Sequence, residues 1–296
     1  MNIAVLVTQV IDVTFYFDLH PESHTPRQED VFHIVNPADL AAAEWALNIR
    51  ERLGCQLTFI SLGPERAGRA LVDALAMGGG RAIHVHEERT DRISLAAAHL
   101  LADVLRPLAC DIILCGSHSV EDGSGETPPA LAELLDLPQV TSVVALEVAS
   151  EGDCAIAERK LDRGRRQTVA CPLPAVFSVD PCIAIPRYAP FPFFWEAHTG
   201  KNILRLDCPT RSIDPAVLDG IESLRTLVGY SLPRPRPKKT FTIDPSLSAD
   251  ERMDLIMSGG LTQRKEHRVL EGDPGKIAHE LARILGNNLR MSCRRG

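Results

Sequence analysis

The chain has 296 residues, 45% of them apolar, and a formal charge of -7; it can bury a sizeable core, and nothing in it supplies the broad basic face of a general nucleic-acid binder. No apolar run approaches the roughly 20 residues of a membrane span, and Met1-Asn2-Ile3 leads straight into an apolar run without a signal-type leader, so a cytoplasmic chain without membrane insertion is expected. Eight cysteines are scattered with no CxxC pair, which suits small buried hydrophobes in a reducing compartment and argues against zinc.

Ile3 to Val7 is a continuous apolar run, the pattern of a central parallel strand, and Thr8 to Asp12 should be the loop at its C-terminal end. Residues 13 to 33 are polar and read as a hairpin or a surface excursion. Asn36-Pro-Ala-Asp39 opens a helix to about Leu53, stopped by Gly54. Gln56 to Leu62 is the second strand, Ala67 to Met77 an amphipathic helix closing at Gly78-Gly-Gly80, and Ala82 to His86 the third strand. A helix from about Ser94 to Leu105 and a strand over Asp111 to Cys115 follow. The alternation predicts an α/β fold, a parallel sheet covered by helices on both faces, with ligands at the strand C-terminal ends.

The fourth of these strands leads into Gly116 to Pro129, GSHSVEDGSGETPP, and then into the helix formers Ala130 to Leu135. Thr127 is placed to cap that helix, with Pro128 in its first turn. A Gly- and Ser-rich loop ending at a helix N-terminus offers free N–H groups, close approach and the positive end of a dipole, the ingredients of an anion site. An exposed turn before a capped helix satisfies the same pattern. Glu121, Asp122 and Glu126 would repel a phosphate unless they face ribose hydroxyls or water.

From Val140 the pattern changes to short strands at 140 to 148, 155 to 161, 168 to 171 and 175 to 179, predicting edge or antiparallel members. Ile185 to Trp195 holds three prolines and five aromatics, which reads as an irregular loop, packed on its own domain or facing a partner. Pro233 to Lys239 reads as an extended, positively charged tether, Ser248-Ala-Asp-Glu251 as a capping box, and Asp273 to Leu285 as a final amphipathic helix. The expected organisation is an α/β domain over 1–204, then a linker and C-terminal arm over 205–296 of the kind that embraces a partner chain. His84 and His86 share a strand face, where a metal would need a third ligand. There is no GxGxxG at the first strand, no Walker lysine loop and no GxSxG elbow. A binding or carrier protein is favoured over a hydrolase, and no catalytic residue is assigned.

Val5 to Asp12, Val35 to Asp39, Ala74 to Gly78, Gly116 to Pro129, Leu173 to Val176 and Pro186-Arg-Tyr188 occur in order. Together they resemble the beta subunit of electron transfer flavoprotein, the FixA-like family, over roughly residues 1 to 200. The resemblance implies an adenine nucleotide α-hydrolase-like (Rossmann-like) fold and a heterodimer with an alpha subunit. That complex shares FAD and passes electrons from a flavin-dependent dehydrogenase to a quinone reductase or other acceptor, with AMP or a second FAD in the beta pocket. Carried over by position, the pocket would use Leu6, Asn36, Pro37, Ala38, Asp39 and Leu62. Ser117, His118, Ser119, Val120, Glu121, Asp122, Gly123, Ser124, Gly125, Glu126, Thr127 and Pro128 would wrap the phosphate. Arg187, Tyr188, Phe191, Phe193, Phe194 and Trp195 would dock the dehydrogenase. Relative to the family, positive charge is missing near Thr8 and at Ser117, and Glu126 stands where glutamine is usual. Two rivals remain: an ATP-cleaving protein of the same fold, with Asp122 and Glu126 as metal-binding candidates, and a scaffold subunit without ligand.

Overall fold

The computed structural model describes residues 1–88, 94–121, 123–149, 152–200, 202–207, 220–221, 223, 247–257 and 272–292. Asp122, the 233–239 tether and Gly259-Gly260 lie outside these residues. The chain runs β1 (Asn2–Leu6), β2 (Gln9–Ile11), β3 (His33–Val35), α1 (Pro37–Leu53), β4 (Gln56–Gly63), α2 (Gly68–Gly78), β5 (Arg81–His86), α3 (Ser94–Leu105), β6 (Ile112–Gly116) and α4 (Thr127–Leu135). It continues through β7 (Gln139–Val148), β8 (Cys154–Lys160), β9 (Arg166–Pro172), β10 (Ala175–Val179), α5 (Phe191–Thr199), β11 (Ile203–Asp207), α6 (Ala249–Met257) and α7 (Pro274–Ser292).

Nine strands form one sheet in the order β11-β5-β4-β1-β6-β10-β7-β8-β9. All neighbours are parallel except β7-β8 and β8-β9, where the short strands after Val140 add the expected antiparallel edge. The apolar runs are central because both their faces are covered. Ile3 and Val5 of β1, Phe59 of β4 and Ile112 and Leu114 of β6 pack into one cluster with α1 and α2 residues. Ala4, Leu6, Ile60, Ile113 and Cys115 point the other way, into a cluster with α3 and α4 residues. Leu6 is therefore a core residue at the end of β1, 6% exposed.

Local signals fix the helices next to the sheet. Pro37 sits in the first turn of α1, and Gly54 ends it in the left-handed region at φ 67°. Arg50 reaches from the end of α1 to the carbonyls of Gly78 and Gly79, 2.5 and 2.9 Å away, closing α2 with a cation at its C-terminus. Trp45 buries its ring and donates to the Leu146 carbonyl at 3.0 Å, tying α1 to β7.

Three expectations are corrected. The segment after β1 contains a strand, β2, paired antiparallel with β3, and the polar excursion spans between them. β11, unmarked by alternation in the sequence, pairs in parallel with β5 and forms a sheet edge. Residues 191–199 form a helix: Pro190 occupies its N-cap position and Pro192 its first turn, where a missing N–H is harmless.

The chain divides into two units, Met1–Leu232 and Pro233–Gly296. In the second, the Ser248 N–H and hydroxyl both donate to the Glu251 carboxylate while the Glu251 N–H donates back to Ser248 Oγ, the capping box expected before α6. Asp273 accepts from the Gly275 and Lys276 N–H groups and starts α7.

Candidate functional site

The chain lays β4 and β5 on one side of β1 and then returns to place β6 on the other. The crevice outside the C-terminal ends of β1 and β6 is the switch point where open α/β sheets bind ligands. Three segments meet there: the end of β1 at Thr8, the start of α1 at Asn36 to Asp39, and the loop after β6. Sequence spacing could not show this convergence, because its contacts are long-range.

Asp39 makes the junction. One carboxylate oxygen accepts from the Thr8 N–H at 2.9 Å and the other from the Gly116 N–H at 2.8 Å. Burial pushes its pKa from the usual 3.8 up to about 6, against the pull of those N–H donors and of the Asn36 and Thr8 side chains. The same burial, with Asp39's charge second, raises the Cys115 thiol. Asn36 adds two bonds: its amide donates to the His118 carbonyl at 3.1 Å and accepts from the Val120 N–H at 3.3 Å.

Gly116 leaves room for this arrangement. A Cβ there would lie 2.9 Å from both the Ala38 Cβ and the Asn36 amide and would strike the Asp39 carboxylate. Gly125, at φ 59°, brings the loop against the Ser117 carbonyl, 2.5 Å from where its Cβ would stand.

The loop's own hydrogen bonds show which groups remain for a ligand. The N–H groups of Gly116, Ser117, Val120, Glu121 and Gly123 have partners in Asp39, Val179, Asn36 and Ser119. Those of His118, Ser119, Gly125, Glu126 and Thr127 make no hydrogen bond to another described residue. The last three lead into the N-terminus of α4.

The Glu121 carboxylate accepts from the Ile11 N–H at 3.3 Å and so is turned toward β2. Ser117 Oγ pairs with His118 Nδ1 at 2.8 Å, and Ser124 Oγ lies 3.3 Å from Ser94 Oγ at the start of α3. Thr127 is not the cap of α4: Glu126 takes that position in a helical conformation, makes no side-chain cap, and Pro128 falls in the first turn. Pro37 is exposed and Ala38 buried in the first turn of α1, while Leu62 is half-buried at the end of β4. Thr8 and Gly116 fell inside the candidate loops without being assigned to the pocket, and Ser94 was absent from the sequence-based set. Glycine after a buried strand was the one available signal for Gly116.

The aromatic segment forms a second surface. Tyr188 is 99% exposed, Phe191 72% and Trp195 60%. Phe191 and Trp195 lie with ring centroids 6.2 Å apart, and Phe194 stacks on His198 at 4.1 Å. Phe193 lies against Gly79 and is 38% exposed.

Arg187 is held differently. Its guanidinium donates to Glu44, Asn48 and Glu51 of α1, and its backbone N–H also donates to Glu44. Hydrogen bonds to Glu44 and Glu51 hold its pKa above the usual range. Glu44 is only 6% exposed, so this pairing is what makes the burial of its carboxylate tolerable.

An electron transfer flavoprotein domain profile matches residues 28–198. The chain belongs to the electron transfer flavoprotein family. It is 34% identical to the electron transfer flavoprotein subunit beta of Thermoanaerobacterium thermosaccharolyticum over 79% of this chain and 88% of the relative. It is 35% identical to the Clostridium acetobutylicum subunit beta over 64% of this chain and 71% of the relative, and 32% identical to the human one over 68% and 79%. These likenesses support an electron transfer flavoprotein role. Among the described residues no helix is long and apolar enough to cross a membrane.

Proposed function

We propose that this electron transfer flavoprotein chain acts as the beta subunit of a heterodimer and binds an adenine nucleotide at the β1–β6 switch point. The nucleotide is AMP or a second FAD, its phosphate lying against the Ser117 to Pro128 loop. The alpha partner shares the redox FAD, and Tyr188, Phe191, Phe194 and Trp195 dock a flavin-dependent dehydrogenase. Electrons pass onward to a quinone reductase-type acceptor. The flavin supplies the redox chemistry, and the protein positions it.

One observation carries the nucleotide reading: Asp39 ties the segment after β1 to the end of β6, and Asn36 ties the start of α1 to a loop whose amides at His118, Ser119 and Gly125 to Thr127 have no described partner. Such amides fit a phosphate. The turning of Glu121 toward Ile11 removes one of the opposing charges from the loop face.

The ATP-cleaving rival shares the fold and would use Glu126 and Asp122. Incubating the full chain with labelled ATP and Mg²⁺, beside calorimetric titration with AMP, separates the two. Saturable AMP binding without turnover is expected. ATP turnover that is lost in Glu126→Gln would replace the carrier reading with the rival.

A further inference from the structure

The residues at the switch point divide into those whose polar atoms are free for a ligand and those whose polar atoms are already engaged. Asn36 and Asp39 are each 3% exposed. Their four hydrogen bonds to the neighbouring segments all end on main-chain atoms, at Thr8, Gly116, His118 and Val120. An ionised carboxylate in contact with a phosphate would also repel it. Asp39 instead lies beneath the backbone, each oxygen engaged by an N–H from a different strand end.

We propose that Asn36 and Asp39 are positioning residues that hold the Gly116–Val120 backbone from below in a phosphate-gripping shape, rather than offering their own polar atoms to the phosphate. The inference rests on the nucleotide reading above. It reassigns two side chains that motif position would make ligands, and it leaves the phosphate to main-chain donors. It also explains how this loop can lack a lysine. The grip depends on amide direction, which two buried side chains set from below.

Two consequences differ from a general structural role. Loss of either side chain should release the loop while β1 and β6 stay paired within the sheet, since their register does not involve these bonds. The damage should then fall on the phosphate and spare the nucleoside. Asp39→Asn keeps size but places an N–H₂ group against one of two N–H donors, and Asn36→Ala removes both loop bonds without adding charge.

The test uses the full chain, cleared of nucleotide with charcoal, as wild type, Asp39→Asn and Asn36→Ala. Each is titrated calorimetrically with AMP and with adenosine, and folding is checked by thermal melting. AMP affinity should fall about ten-fold or more in both variants, while adenosine affinity moves less than about two-fold. If Asp39→Asn does not fold, Asn36→Ala carries the same comparison. Equal losses for AMP and adenosine, or no loss for either, overturn the positioning role. A wild-type chain that binds neither compound overturns the nucleotide reading and this inference with it.

Discussion

At the scale of single residues, Asp39 places a carboxyl where charge is costly, and that cost has a pH signature. Its folded pKa of about 6 lies above the usual 3.8, so folding favours the protonated form. The contribution is fully present below 3.8 and is lost as pH rises through about 6. Unfolding free energy followed by urea titration from acid to neutral pH should therefore fall in wild type relative to Asp39→Asn, by up to roughly 3 kcal/mol. A constant difference between the two chains across that window contradicts the raised pKa. Gly116 is sensitive for a steric reason. Gly116→Ala forces a methyl against Asp39, Ala38 and Asn36 and should cost about 1–3 kcal/mol, with AMP affinity falling as well. An unchanged urea midpoint would mean that the α1 start moves aside freely.

At the scale of elements, α5 with the segment before it separates folding from docking. Glu44 is buried and its charge is matched by Arg187, so Arg187→Ala leaves a carboxylate without its partner. Because Arg187 is partly exposed, the expected cost is roughly 2–3 kcal/mol, read as a lowered thermal midpoint. Trp195→Ala, on a side chain 60% exposed, should leave that midpoint within about one degree and weaken dehydrogenase binding about ten-fold or more. Loss of stability without loss of docking in Trp195→Ala would assign the ring to packing.

What was legible in the sequence follows from the range of the forces involved. The bounds of α1 were readable because Pro37 and Gly54 act on their own backbone. β1, β4 and β6 were readable because burial on both faces leaves an uninterrupted apolar run. β11 was not, since Ile203 to Asp207 is half solvated and its pairing with β5 is made across the chain. α5 was obscured by proline density, because the cost of proline depends on where it falls in the helix and Pro190 and Pro192 fall at its start. The candidate loop could be found from glycine, serine and the helix after it. Its tie to Asp39 spans 77 residues and carries no local mark.

At the scale of the whole molecule, the nine-stranded sheet places its switch point between β1 and β6, and the family's domain match covers the elements from the end of the β2–β3 excursion through α5. The exposed aromatic surface lies in the same unit as the switch-point loop, so one unit carries both a candidate nucleotide site and a candidate docking surface. The C-terminal unit contributes two well-capped helices, and the proposal for it is an arm on the alpha partner. Deleting residues 233–296 should reduce co-purification of that partner and leave AMP binding by the first unit intact. Unchanged co-purification would remove the arm from the interface.

The central claim is that this chain is the nucleotide-holding subunit of an electron-carrying pair. It is tested most directly by co-expressing the full chain with an electron transfer flavoprotein alpha subunit from the same organism, purifying the complex, denaturing it and quantifying the released nucleotides. One FAD with one AMP, or two FAD, per heterodimer is the predicted result, the choice between them naming the ligand at the Ser117 to Pro128 loop. A folded heterodimer that releases no nucleotide beyond the alpha subunit's own FAD would contradict it, and the chain would then be a scaffold subunit without a ligand of its own.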